Sequence, residues 1–285
     1  MANYRFCDTI IWMEAQNPNV SVVVPVYCAT DEHEEFLREA LESVAAQTYT
    51  DIELIIVDDL SPRDIMPIVE DVSGLKDISI LRNIVNAGHA ESRNAGIRVA
   101  RGKYVAFLDH DDIWLPDKLA RQVDAIDSNP DAAMVFCDMI VFGEHVNRLQ
   151  IDQRIIPERP SFYWFVTHGN YTVSASAVLI KKQVMLDIGL FDSRYSTCDD
   201  FDAWLKVLMR TSIVHMPESL AKYRLHNLNV NYGVDRLNDN RLLTSLIWQY
   251  WQTAPMWEKI RLLPRLGRKY IGRAYFTFCR FRKFK

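Results

Sequence analysis

Long hydrophobic runs are missing from this chain. No apolar stretch approaches the ~20 residues that span a bilayer, so no membrane-crossing helix is expected. The first twenty residues show no basic start, no sustained apolar core and no small-residue cleavage site, so no secretory signal is expected. Cysteine is sparse. Cys7, Cys28, Cys137, Cys198 and Cys279 are odd in number, far apart and never in a C-x-x-C pair. That argues against a disulfide framework and a thiolate zinc site, and it fits a reducing cytoplasm. Internal repeats and low-complexity stretches are absent too, which removes solenoids and fibrous arrays. Glycine is scarce, ten in 285 residues, and none lies in CATDEHEEF after the first apolar run. A glycine-free acidic loop at that place is a poor cradle for a triphosphate.

What is present is the profile of a soluble globular protein, 49% hydrophobic and 25% charged, long enough for one large domain with or without an appendage. The net charge of −4 is uneven. Residues 256–285 hold ten Lys or Arg against Glu258, a local +9, which leaves −13 for the rest. An acidic body with a basic tail speaks against nucleic-acid binding, because the body repels a phosphate backbone.

Residues 1–19 show no period and end in a turn cluster, so they are expected to form an arm. Val20 to Tyr27 reads as a buried strand with Pro25 near its end. Glu32 to Gln47 carries Phe36, Leu37, Ala40, Leu41 and Val44 at helical spacing. Ile52 to Val57 is a second strand, ending in Asp58-Asp59. Helix is expected over Arg63 to Val72, strand over Ile78 to Leu81 and helix over Ala90 to Ala100. Tyr104 to Leu108 is strand, Pro116 to Asn129 helix and Ala133 to Phe142 strand. This alternation predicts a parallel sheet with helices on both faces. The acidic clusters that follow two of its strands then share one rim.

Beyond residue 143 the alternation stops. Glu144 to His168 reads as a polar loop over the rim. Ser174 to Ile180 and Leu220 to Leu225 read as strands. Lys182 to Ile188, Asp199 to Met209 and Leu237 to Trp251 read as helices.

The densest chemistry lies in YVAFLDHDDIW, from Tyr104 to Trp114. A buried strand emerges there into Asp109, His110, Asp111 and Asp112. Carboxylates so close repel unless a cation neutralises them. Mg²⁺ and Mn²⁺ prefer oxygen ligands and commonly bridge to substrate phosphates. The other reading of the same residues is a solvated acidic turn capping the helix near Pro116.

Seven stretches together resemble the family-2 glycosyltransferases of GT-A fold. They are VSVVVPVY at Val20, SVAAQTYTDIELIIVDD ending at Asp59, NAGHAESRNAG at Asn86, GKYVAFLDHDDIW at Gly102, GLFD at Gly189, CDDFDAWL at Cys198 and YRLHNLNV at Tyr223. They follow the family's order and cover residues 20 to 230. The resemblance implies a Rossmann-like, mostly parallel sheet flanked by helices. It implies a nucleotide-sugar-binding half over 20–142 and an acceptor and catalytic half over 143–235, while the residue pattern itself predicts a helical, basic amphipathic extension over 236–285. It also implies an inverting, metal-dependent transfer of one sugar from a UDP, dTDP or GDP sugar to a saccharide or lipid-linked acceptor in cell-surface glycan synthesis. The Q-x-x-R-W segment of the processive synthases is absent, so polymerisation is not expected.

Carried over residue by residue, Asp111 is the main ligand of Mg²⁺ or Mn²⁺, with Asp109 on the metal or the ribose and His226 completing the coordination. Asp200 matches the catalytic base, and Asp199 stands where Glu is more frequent. Tyr27 is placed to stack on the base, Asp59 to accept its imino N–H, and Pro25 to define the backbone beside them. Cys28 stands where the family often has Asn. Arg93 reaches a phosphate or braces Asp109, and Arg224 is a further diphosphate candidate. Asp112 either joins the metal site or caps a helix, and Asp202 is expected in solvent. His110 is given no role. Trp204 is expected in the core, and Trp114 in the core or the pocket wall.

The tail interleaves its basic residues with aromatics and leucines. That suits a helix lying on an anionic membrane surface, and it suits equally a helical pair packed on the acidic body. Membrane contact would place the enzyme on the inner face of the plasma membrane. Two other function classes compete: a sugar nucleotidyltransferase, disfavoured by the CATDEHEEF loop, and a non-enzymatic binding domain, disfavoured by the intact acid set.

Overall fold

Buried β-branched runs build the first half of the sheet. In the computed structural model, residues 17–144, 156–170, 172–195, 197–226 and 236–253 are described, with 256, 259 and 260. Strand β1 (Val20–Val26) is buried at every position, and β2 (Ile52–Asp58) at all but its first. β1 lies parallel to β2 and to β4 (Tyr104–Phe107), and β2 lies parallel to β3 (Ile78–Arg82). Both faces of β1 are apolar because both are covered. Val22 and Val24 join one core with Leu37 and Leu41, whereas Val23 joins the other with Phe107 and Trp204.

Helices α1 (Asp31–Ala45), α2 (Met66–Asp71) and α3 (Gly88–Val99) make the crossovers. Thr30 caps α1 by accepting from His33 N, and the first turn holds Asp31, Glu32 and Glu34 as the helix dipole favours. The helix expected over Arg63–Val72 shrinks to α2, because Asp64 turns back to accept from Met66 N at 3.0 Å. Gly96 brings α3 close to the sheet, since a Cβ there would run into the buried Val23 side chain. That approach sets Arg93, one turn earlier, over the strand ends.

The second half departs from simple alternation. The order is β3-β2-β1-β4-β7-β6-β8-β5. Strand β6 (Ala132–Gly143) does not lie beside β4. The later β7 (Val178–Lys181) inserts between them, antiparallel to both. Burial periodicity marks a strand as buried without naming its partner, so the parallel expectation holds only in part. β8 (Ser212–Leu225), which extends well before Leu220, runs parallel to β6 and pairs with a short β5 (Ile113–Trp114).

Helices α4 (Lys118–Ser128), α5 (Phe162–His168), α6 (Lys182–Asp187), α7 (Asp199–Leu208) and α8 (Arg236–Thr253) complete the order. α5 lies inside the stretch expected to be loop, and residues 145–155 fall outside the described residues. Ser174 caps a 3₁₀ turn, Ala175–Ala177, so β7 starts later than expected. α8 packs Leu243, Leu246 and Tyr250 on the second core, with Tyr250 stacked on Phe162 at 3.6 Å. Most of the N-terminal arm, residues 1–16, and residues 261–285 of the basic tail lie outside the described residues. Among the described residues no helix is long and apolar enough to cross a membrane.

Candidate active site

The strand ends of β1, β2 and β4 bring Tyr27, Asp58-Asp59 and Asp109 to one rim. Tyr27 is 41% exposed, its ring standing clear of the sheet end, and Pro25 is buried opposite Val57. Cys28 is buried, and burial, then Glu34, push its thiol up to about 11, which makes it a packing group. Asp58 is buried, pairs with Arg82 and accepts from Ser61 N at 2.8 Å. Asp59 Oδ1 accepts from Asn83 Nδ2 at 2.7 Å and Ala87 N at 2.8 Å, and Oδ2 from Gly88 N at 2.8 Å. The Asp59 carboxylate thus shapes the loop into α3. Its Oδ2 accepts this one bond among the described residues and keeps a second lone pair.

Arg93 is 5% exposed and joins two acids. Nη2 donates to Asp109 Oδ1 at 2.6 Å and Nη1 to Asp199 Oδ2 at 3.0 Å. With both terminal nitrogens engaged, Arg93 is placed as a brace beneath the rim. His89 Nε2 lies 2.9 Å from the other oxygen of Asp199.

Beside this brace, His226 Nε2 lies 2.9 Å from Asp111 Oδ2. Asp112 is fully buried, with Oδ2 3.1 Å from Ser174 Oγ and Oδ1 accepting from Arg224 N at 3.1 Å. It caps no helix; α4 begins after Asp117, whose side chain makes no capping bond. Burial, then the charges of Asp111 and Asp109, push the Asp112 carboxyl well above the usual range. Arg224 donates from Nε to Asp111 O at 2.9 Å, pairs with Glu39 and stacks between Phe36 and Phe142, 4.3 and 4.5 Å from their ring centres. That sandwich makes it a second brace. Trp114 is 2% exposed and donates from Nε1 to Ser176 O at 2.9 Å, so it belongs to the core, as Trp204 does.

On α7, Asp200 Oδ1 accepts from Phe201 N at 2.6 Å and Oδ2 from Asn170 Nδ2 at 2.9 Å. Burial, then the Asp199 charge, push its carboxyl up to about 6, a value suited to a general base near neutrality. At Asp199 burial acts upward, but the hydrogen bond and charge of His89 and the charge of Arg93 outweigh it, so that carboxyl is held low. Asp202, expected in solvent, is 2% exposed, accepts from Tyr195 OH at 2.9 Å and pairs with Lys206. It lies one turn after Asp199, on the packed side of α7.

The sequence reading passed over four residues the structure brings into the site: His89, Asn170, Ser174 and Ser176. None carries a periodic signal, and only the hydroxyl-rich TVSAS stretch hints at a polar turn.

Asp109 and Asp111, between β4 and β5, and His226, just after β8, offer two carboxylates and one imidazole. That donor set fits Mg²⁺ or Mn²⁺, the imidazole suiting Mn²⁺ better. Among the described residues no three such side chains already converge as a finished cage.

A mostly parallel sheet flanked by helices, with Asp59, Asp109 and Asp111 beyond its strand ends and Asp200 at the start of α7, has the GT-A-like architecture. A profile of glycosyl transferase family 2 matches residues 21–184. An uncharacterized glycosyltransferase of Rickettsia typhi is 30% identical over 240 residues, 80% of this chain and 71% of that protein. One from Methanocaldococcus jannaschii is 31% identical over 237 residues, 80% of this chain and 78% of that one. Among solved structures, S. aureus TarS 1–349 in complex with UDP-GlcNAc matches at TM-score 0.63 and 20% identity, covering 76% of this chain and 61% of that chain. The mannosyltransferase PcManGT of Pyrobaculum calidifontis, in complex with GDP-Man and Mn²⁺, matches at TM-score 0.60 and 17% identity, covering 84% and 66%. Likeness at those identities shows the fold. The chain belongs to glycosyl transferase family 2 and is a transferase.

The Asp200 environment carries a stability consequence. An unfolded aspartate ionises near 3.9, below the folded value of about 6. The unfolded chain therefore releases this proton first, and stability from this group falls as pH rises between the two values and stays low above them. Asp200→Asn removes the penalty. Its melting-temperature gain over wild type should be larger at about pH 8 than at about pH 4, and equal differences would contradict the raised carboxyl.

Proposed function

We propose that this enzyme moves one sugar from a nucleotide-diphosphate sugar, UDP before dTDP or GDP, to a hydroxyl of a saccharide or lipid-linked acceptor in cell-surface glycan synthesis, inverting the anomeric centre. The observation that carries the reading is Asp200. A carboxylate poised near neutral pH stands at the head of α7, linked through Asp199 and Arg93 to Asp109 on the donor rim.

Each group then has one task. Asp200 takes the proton of the acceptor hydroxyl. As that oxygen bonds to the anomeric carbon, the bond from carbon to the diphosphate oxygen breaks, and its electron pair leaves with the nucleotide. Tyr27 stacks on the base, and the free lone pair of Asp59 Oδ2 takes the imino N–H that uracil and thymine share. Pro25 fixes the course of the strand end that releases Tyr27. Arg93 holds Asp109 aimed at the donor. Asp111, Asp109 and His226 would hold Mg²⁺ or Mn²⁺, which supplies positive charge opposite the leaving diphosphate. A UDP donor agrees with TarS and a divalent cation with PcManGT.

The basic, aromatic tail, residues 256–285, would bring the enzyme to anionic lipid at the cytoplasmic face, where a lipid-linked acceptor would lie.

Activity should require Mg²⁺ or Mn²⁺, and Asp111→Ala should abolish it; full turnover of any nucleotide-sugar donor in excess chelator would contradict the metal role. The full chain should cosediment with anionic liposomes and be released by salt. A chain lacking residues 256–285 should stay in solution, and equal sedimentation of both would rule the tail out as the anchor.

A further inference from the structure

A thread of hydrogen bonds runs from Asp200 to the donor-side acids through residues to which no role has been given. Asn170 Nδ2 donates to Asp200 Oδ2 at 2.9 Å. Its Oδ1 accepts from Thr172 twice, from Oγ1 at 2.8 Å and from N at 3.3 Å. Thr172 O accepts from Ser174 N at 2.7 Å. Ser174 Oγ lies 3.0 Å from Asp109 Oδ2, 3.1 Å from Asp112 Oδ2 and 3.1 Å from Ser176 Oγ, and accepts from Ser176 N at 3.1 Å. Ser176 Oγ accepts from Asp109 N at 3.0 Å. Thr172, Ser174 and Ser176 are all buried. A serine hydroxyl has one proton to give, so Ser174 donates to one of the two carboxylates at a time while lying within hydrogen-bond distance of both.

The middle of this thread is strained. Val173 has φ of 63°, a region that β-branched residues rarely enter. Such outliers persist only where their surroundings over-determine them, and they gather at sites whose geometry matters. On either side of Val173 the hydrogen bonds just described supply that determination. A relaxed valine would swing Ser174 away from Asp109 or Asn170 away from Asp200.

We propose that Asn170 and Ser174 are positioning residues, and that the thread between them, bent at Val173, fixes the base Asp200 relative to the donor-side acids Asp109 and Asp112. The proposal rests on the reading of Asp200 as the base. The two ends act on different steps. Asn170 hydrogen-bonds the ionised form of Asp200 and orients the lone pair that receives the acceptor proton. The other charged groups facing Asp200 are Asp199 beside it and Arg93 from α3. Ser174 orients Asp109 and so serves donor binding.

The test uses full-length variants with two readouts that need no acceptor. One is the titration of Asp200 followed by carbon NMR in chains labelled at the aspartate carboxyl and assigned with Asp200→Asn. The other is calorimetric binding of UDP with Mn²⁺. Asn170→Ala, or Asn170→Ser if the first fails to fold, should raise the Asp200 midpoint by about half a pH unit or more, because a bond to the charged form is lost. Its UDP affinity should stay within about threefold of wild type. Ser174→Ala should weaken UDP binding by about tenfold and leave the Asp200 midpoint in place, and Ser174→Thr, which restores the hydroxyl, should recover the affinity. An unmoved Asp200 midpoint in the Asn170 variants, or wild-type UDP affinity in Ser174→Ala, would overturn the proposal. Undiminished donor turnover in Asp200→Asn would instead sink the reading of Asp200 as base, and both readouts would still decide whether the thread positions the two ends.

Discussion

One guanidinium shared by two acids sets the geometry of this site. Asp109 belongs to the strand end, and Asp199 begins a helix about ninety residues later in the chain. Arg93 reaches both because its fork presents two donors in a plane, which a lysine point charge does not. Two carboxylates in a weakly screened interior would otherwise repel, or one would protonate. With Arg93 and His89 beside it, Asp199 stays ionised, and its charge then helps burial to lift Asp200 toward neutrality. The pair of adjacent aspartates is thereby divided into one held low and one held high. Arg93 stands in place because Gly96 lets α3 approach Val23.

The halves of the sheet contribute differently. The parallel half, β1 to β4, delivers Tyr27, Asp59 and Asp109 to a common rim, as strands of one direction must. The antiparallel insertion of β7 delivers the Ser174–Ser176 turn from the opposite direction. That turn rests on a polar floor. Trp114 Nε1 donates to Ser176 O at 2.9 Å, and Gln122 Nε2 to Ala177 O at 2.8 Å. Lys118, fully buried, donates to Gln122 Oε1 at 2.7 Å and stacks on Trp114, with burial pushing its amine down to about 8. Buried backbone groups need such partners. These residues hold up the 3₁₀ turn without facing the substrate.

The rim was legible in the sequence because it is local. Apolar runs of four to seven residues ending in Asp58-Asp59 and in Asp109 to Asp112 announce buried strands with acidic exits, and helical spacing announced α1, α3, α4 and α7. Strand partners were not legible. The placement of β7 between β4 and β6 is a long-range pairing with no mark in either stretch. Burial of polar residues was equally hidden. Asp202 and Asp112 look solvated in isolation and become buried only through Tyr195 and Lys206, and through Ser174 and Arg224. His89, Asn170 and Ser174 matter through partners 30 to 110 residues away, a relation that composition and period do not encode. The adjacency of Asp199 and Asp200 was visible, but not their division of labour, which depends on Arg93.

The central claim is that a single carboxylate, Asp200, serves a direct displacement at the anomeric carbon while the donor-side acids hold the nucleotide. The most direct test is the anomeric configuration of the first-formed product, read from its proton NMR coupling as turnover proceeds. The account predicts a product of configuration opposite to that of the donor sugar. A product that retains the donor's configuration would contradict it.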